Sequence, residues 1–337
     1  MSRNPLFPTV SQETSAESPA QSAPSSSGPC PRSPHLTDAP APFNKSTADV
    51  VLRSKDMMDF HVRKAILIEA SAFFEDMFRL PQVTEGESAG SGWSDKKYNL
   101  PIIPMEEDNE TLDRLLRLCY PISPPDLDDV NQLSSVLKAA RKYLMDDVVQ
   151  MVCIQMRKLA KTVPLRVYAL ALQFGLEEEA RFAAKCSLAI PLRDKYVPEL
   201  EDITGGAYYR ILDYHEKCSA AAACLSSDYS WVRNLNPKYI WFGRTSHGVD
   251  CALEWDGIGN IRAWWKNSLP MLKAVTDSTP SGEAITYSQP AVVNALIAAS
   301  ACNTCKNKGP WDMLGFISHY AAEVDKATSQ VELEIKF

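Results

Sequence analysis

The cysteines near the C-terminus are the residues whose type and spacing could do chemistry. Cys302-Asn303-Thr304-Cys305 has a two-residue gap, which lets both thiolates reach one tetrahedral zinc ion. One such pair supplies only half of a zinc site, so the sequence favours buried or unligated thiols over a bound metal. Six of the seven tryptophans lie between Trp231 and Trp311. A metal in this region would therefore cross-link and stabilise a small aromatic core.

Two patterns that could indicate an enzyme fail on their context. Gly86-Glu87-Ser88-Ala89-Gly90 has the spacing of a serine-hydrolase nucleophile elbow, but that motif needs a strained turn after a buried strand. Here it lies within a polar insertion at 82–97. Gly257-x-Gly259 lacks the third glycine of a dinucleotide-binding loop. The sequence therefore predicts no catalytic residue, no cofactor-binding residue and no enzymatic activity.

The composition limits the partners and the compartment of the protein. The net charge of −7 and the pI near 5.4 argue against binding nucleic acid through general electrostatics. The N-terminus has no apolar signal core and no apolar run reaches the length of a membrane span, so we expect neither secretion nor a membrane partner. Nine cysteines without a signal peptide predict reduced thiols in the cytoplasm, the nucleus or both.

Composition and periodicity divide the 337 residues into four segments. Residues 1–46 form a Pro/Ser-rich tail, which we expect to be disordered because it has too little apolar surface to offset chain entropy. Residues 47–161 predict an α+β domain with a small sheet and a helical cluster. Residues 162–226 predict a helical extension. Residues 227–337 predict a mainly helical module that contains the tryptophans and several cysteines.

The strands of the predicted sheet are short. A β-branched run at 49–52 and an alternating run at 60–63 indicate two strands joined by a turn. A third strand is predicted at 98–103. Pro101 places that strand at an edge of the sheet, because proline has no N–H to donate to a neighbouring strand.

The first helices carry a clear apolar stripe. Phe74, Met77 and Phe78 occupy positions i, i+3 and i+4 of a helix, so they share one face that must be buried. Apolar residues at helical spacing predict three more helices between residues 109 and 160.

These residues resemble a BTB/POZ domain, which is a protein–protein interaction and dimerisation module. The likeness includes Phe60-x-Val62 followed by Lys64, and Ser71 with Phe74. It continues through Leu115 to Tyr120 and Ala139-Ala140-Arg141-Lys142-Tyr143. The resemblance implies a BTB/POZ fold at 47–161, a sheet of three to five strands capped by a helical cluster. It also implies pairing with a second copy or with another BTB protein.

The resemblance further indicates an interface. In the family, the acidic residue of the first strand and the basic residue after the second line a charged pocket at the dimer centre, and Asp49 and Lys64 occupy those positions. An ordinary, partly buried ion pair is the alternative. Many members have His where this chain has Arg63. The apolar residues that we expect in the core or the partner face are Ile66, Leu67, Phe73 and Met77.

The resemblance fits more than one function. The first is a non-enzymatic adaptor or scaffold. The second is a substrate adaptor of a cullin-type E3 ubiquitin ligase, in which Leu127 and Asp129 match the hydrophobic-x-acidic element that grips the cullin. The third is a transcriptional regulator that recruits corepressors.

The later part of the chain resembles a large, basidiomycete-type group of fungal BTB proteins. The similar residues are Tyr168-Ala169-x-Ala171, Gly175-Leu176, Ala183-Ala184, Tyr214-His215-x-x-Cys218 and Val331 to Ile335. Members of that group have a second Cys-x-x-Cys after a Trp-Phe pair, whereas Trp241-Phe242 is followed here by Arg244 and His247. A four-cysteine site is therefore lost. The candidate ligands for zinc become His247, Cys251, Cys302 and Cys305.

Overall fold

The computed structural model describes residues 36–80, 96–97, 100–193, 195–227, 231–232, 239–242, 251–255 and 259–337. Their strands and helices enclose two hydrophobic cores, one around the N-terminal sheet and one around the tryptophans. The predicted α+β class is confirmed. None of the helices in these ranges combines the length and apolar character needed to cross a bilayer.

The first core contains a five-stranded mixed sheet in the order β1-β3-β2-β5-β4. Its strands are β1 (Thr37–Asp38), β2 (Val50–Arg53), β3 (Met58–Val62), β4 (Lys96–Lys97) and β5 (Leu100–Pro104). Strands β2 and β3 form an antiparallel hairpin, and β5 runs parallel to β2. Val50, Val51 and Leu52 are all fully buried. This continuous apolar run is typical of a central strand covered on both faces.

The sheet corrects two sequence predictions. Part of the supposed tail belongs to the fold, because β1 pairs with β3 and the Phe43 ring is fully buried, 5.8 Å from Phe60 and 5.3 Å from Tyr120. Pro101 is not in an edge strand, because the two-residue β4 pairs with β5 on its outer side. Residues 1–35 and most of the insertion predicted at 82–97 lie outside the described residues.

Eight helices complete the first core. They are α1 (Lys64–Ala70), α2 (Ala72–Arg79), α3 (Asn109–Cys119), α4 (Val130–Lys142), α5 (Asp146–Ala160), α6 (Pro164–Gln173), α7 (Glu177–Ser187) and α8 (Gly205–Ser227). Helix α3 begins where Asp108 accepts a hydrogen bond from the Thr111 amide at 2.8 Å, an N-cap that satisfies one of the free donors of the first turn. Helices α6 and α7 form a hairpin that turns at Gly175, whose φ of +59° favours glycine.

In the part of the chain that the structure describes, two strands and the four helices named next surround the stacked tryptophans of the second core. The elements are β6 (Ala252–Trp255), β7 (Gly259–Arg262), α9 (Ala263–Lys266), α10 (Leu269–Ser278), α11 (Pro290–Ala301) and α12 (Gly309–Thr328). Trp241 stacks on Trp265 with ring centroids 5.2 Å apart, and Phe316 meets both rings edge-on. Buried aromatic rings in offset-stacked and edge-to-face pairs contribute strongly to stability.

The two cores contact each other through α8 and through the segment that follows α12. Helix α8 packs against α10 and α12. After α12 the chain returns to the first core, where Leu333 is buried and its carbonyl accepts a hydrogen bond from Arg181 Nη1 at 2.6 Å. The predicted boundary at residue 226 therefore divides segments that pack together.

Candidate functional site

The candidate interaction surface is the outer side of α1 and α2, which we call the α1–α2 face and define by Ile66, Phe73 and Met77. Phe73 is 39% exposed, and Ile66 and Met77 are partly exposed. Leu67 and Phe74 point the other way and are buried in the first core. Of the apolar interface residues predicted from sequence, three therefore reach the surface, while Leu67 anchors α1 to the sheet.

Aromatic contacts hold the α1–α2 face in place. The Tyr143 ring, at the end of α4, lies 5.4 Å from both Phe73 and Phe74. Its hydroxyl donates to Glu107 Oε2 at 2.5 Å. The Ser71 hydroxyl donates to the Tyr143 carbonyl at 2.5 Å and accepts from the Phe74 amide at 3.1 Å. A surface fixed by such contacts loses little conformational entropy when a partner binds.

We expect Ser71→Ala to lower the free energy of unfolding by about 1–2 kcal/mol, because it removes the N-cap of α2 and leaves the buried Tyr143 carbonyl without its donor. Urea denaturation followed by circular dichroism measures the loss. Ser123→Ala, at an exposed loop position, is the control and should change stability by less than about 0.5 kcal/mol. Equal effects at the two serines would count against the assigned role of Ser71.

The predicted charged pair lies beside this face. Asp49 is exposed, and its Oδ1 accepts a hydrogen bond from the backbone amide of Lys64 at 2.7 Å, which caps the start of α1. The Lys64 ammonium lies 5.3 Å from the centre of the Phe78 ring, a cation–π contact. The structure thus brings Asp49 and Lys64 together through a backbone hydrogen bond.

The residues considered for a cullin contact are occupied within the fold. Leu127 is only 2% exposed and packs in the first core. Asp129 caps α4 by accepting from the Asn131 amide at 2.9 Å, and Arg166 Nη1 lies 3.4 Å from its Oδ1. Both side chains therefore have a structural role in this chain.

Three cysteines of the C-terminal module lie close together. The Sγ atoms of Cys251, Cys302 and Cys305 all lie within 4.8 Å of one another, and Cys251 and Cys305 are 3.6 Å apart. Burial, followed by the neighbouring thiols, raises the pKa of Cys251 to about 12. His247 lies outside the described residues, so its role as a ligand stays a prediction.

Two aromatic side chains of the first core have roles that the sequence patterns do not predict. Tyr143 was noted as part of the resemblance but not as the residue that supports Phe73. Phe43 was assigned to the tail, although an aromatic residue among prolines and small residues was a signal that this stretch could pack.

Comparison with known proteins agrees with this architecture. The family model described as the BTB/POZ domain matches residues 41–159, close to the predicted 47–161. A search of curated proteins found no match. The match begins before residue 47, in agreement with the buried Phe43. The fungal group stays a prediction. A small mixed sheet, a helical cluster and the family match together identify residues 41–159 as a BTB/POZ domain, a protein-interaction module.

Proposed function

We propose that this chain is a non-enzymatic adaptor or scaffold that dimerises through its BTB/POZ domain, with a second copy or with another BTB protein. The α1–α2 face carries the proposal, because Phe73 presents an aromatic ring to solvent on a surface held by Tyr143. Removing such a side chain from water on binding lowers the free energy of the complex. Obligate interfaces bury upwards of ~2,000 Å², so the three residues of this face would form the centre of a larger contact.

An adaptor also needs a surface for its second partner, and the C-terminal module offers exposed apolar residues. Helix α11 exposes Val293 and Ile297, which are one turn apart, and α12 exposes Trp311. These exposed residues lie on helices that pack in the second core, whereas the α1–α2 face lies on helices that pack in the first. Because the two surfaces are separate, the chain could bind a second partner through α11 and α12 while the α1–α2 face forms the dimer.

The dimer is tested by light scattering on the chromatographed protein over a range of concentrations. We expect the wild-type chain to have twice its mass of 37.4 kDa. Phe73→Asp should weaken the dimer by about 30-fold or more, equivalent to ~2 kcal/mol, because it would bury an unpaired carboxylate at the centre of the interface.

Ile154→Asp is the matched control, since Ile154 is an exposed apolar residue on α5 and is not one of the residues that define the α1–α2 face. It should leave the mass unchanged. A wild-type chain that stays at 37.4 kDa at every concentration, and that does not copurify with a coexpressed BTB domain, would contradict the proposal.

The described contacts do not favour the cullin-adaptor or the corepressor hypothesis over the general adaptor. The cullin-adaptor hypothesis rests on Leu127 and Asp129, whose side chains are engaged in the core and in the cap of α4. The corepressor hypothesis draws on the same domain and the same face as the adaptor. We therefore retain the adaptor or scaffold as the function that the geometry supports best.

A further inference from the structure

The second core contains a cluster of three thiols that the interaction function does not use. Cys302 ends α11, and the backbone turns so that the Cys305 amide donates to the Cys302 carbonyl at 3.1 Å. Cys251 comes from a distant part of the chain, immediately before β6, and its carbonyl accepts from the Ala263 amide at 3.0 Å. Three separate backbone positions thus direct sulfur to one point.

The spacing of the sulfur atoms fits one tetrahedral ion. With a zinc–sulfur bond of about 2.3 Å, two thiolates on the same zinc lie about 3.8 Å apart. The Cys251 and Cys305 sulfurs are 3.6 Å apart, and all three lie within 4.8 Å of one another.

The surroundings of the cluster also suit a metal with thiolate ligands. Cys305 is fully buried and Cys251 nearly so. The indole of Trp264 belongs to the same cluster of buried residues as Cys251 and Cys305. Trp264 is 5% exposed, and its indole nitrogen has no hydrogen-bond partner among the described residues. Donors of this kind orient and stabilise thiolate ligands of metals.

The glycine at the start of α12 keeps this arrangement tight. A Cβ at Gly309 would lie 3.1 Å from Trp264 and 3.5 Å from the Cβ of Cys305. The Gly309 amide donates to the Cys305 carbonyl at 2.7 Å. The turn that carries the two cysteines is thereby pressed against Trp264.

We propose that Cys251, Cys302 and Cys305 bind one structural zinc ion that fastens the start of β6 to the turn between α11 and α12. Binding releases three thiol protons to solvent, and three thiolates with one Zn²⁺ leave a net charge of −1. Water completes the tetrahedron. Coordination uses all three sulfurs, whereas a disulfide would require a separation of about 2.05 Å and would leave one thiol over.

The experiment measures zinc in the untagged full-length chain, purified without chelators from zinc-supplemented medium. Elemental analysis should find one zinc per chain. Cys302→Ser and Cys305→Ser should each reduce the zinc content to background. Cys218→Ser is the matched control, because Cys218 is equally buried but lies on α8 and contacts the Thr328 carbonyl, and it should retain the full zinc content.

Two measurements on the wild-type chain keep the test decisive if the variants do not fold. Cobalt added to the demetallated protein should produce sulfur-to-metal charge-transfer absorption, and zinc should abolish it. In the native zinc-loaded protein, Cys251, Cys302 and Cys305 should resist alkylation until a chelator is added.

Three outcomes would overturn the assignment: a zinc-free chain with no cobalt absorption, zinc retained in both serine variants, or a Cys251–Cys305 disulfide found by mass spectrometry under non-reducing conditions. Because the readout is metal content, it is independent of whether the BTB/POZ domain dimerises.

Discussion

Trp265→Ala is expected to lower the free energy of unfolding of the C-terminal module by about 3–5 kcal/mol. Trp265 is fully buried and stacks almost parallel to Trp241, and Phe316 packs against its face. Replacing the indole by a methyl group removes these contacts and leaves a cavity that neighbouring rings cannot fill by small movements.

Hydrogen exchange resolved by peptide measures this effect, because a chain with two cores need not unfold in one step. Amides of α11 and α12 should lose protection much more than those of α3 and α4. Trp311→Ala is the control, since Trp311 is 74% exposed, and it should change stability by less than about 0.5 kcal/mol. A uniform loss of protection across both cores would show that they form one cooperative unit.

Leu127→Ala is expected to destabilise the BTB/POZ domain by about 2–5 kcal/mol, because Leu127 is buried in the first core just before the cap of α4. Urea denaturation followed by circular dichroism measures the loss. The consequence matters for the cullin hypothesis. A lost cullin interaction in this variant would report a damaged domain rather than a missing contact.

Ile154→Ala provides the comparison for this experiment, because Ile154 is a similar aliphatic residue that is 60% exposed on α5. Its effect should stay below about 0.5 kcal/mol. If Leu127→Ala leaves the stability of the domain unchanged, then Leu127 is not a core residue in solution. In that case, cullin binding by the hydrophobic-x-acidic element should be measured directly, with a substitution at the exposed Asp128 between Leu127 and Asp129.

The helices and central strands of the BTB/POZ domain could be predicted because their signal is local. Leu112, Leu115 and Leu116 recur at helical spacing and are buried, and the β-branched run at 50–52 became a central strand. Such patterns report which side of an element avoids water. They do not report what covers the other side of that element.

The errors at the sheet edges have the same physical origin. Phe43 lies among prolines, so composition favoured disorder, but its ring is buried against Phe60 and Tyr120 from distant segments. Pro101 predicted an edge strand because proline lacks an N–H, yet the short β4 covers that side of β5. Both outcomes depend on contact with another segment, distant for Phe43 and adjacent in sequence for Pro101, which residue type at one position does not encode.

By itself the sequence determined the α+β class, the BTB/POZ resemblance and the pair of cysteines at Cys302-x-x-Cys305, because each depends on residues that are close together in the chain. Only the tertiary structure decided that Phe73 turns outward while Leu67 turns inward, because both are apolar and helical spacing alone leaves the choice open. It also decided that Cys251 meets Cys305 across 54 positions of sequence. That encounter follows from how the strands and helices of the second core pack around the tryptophans.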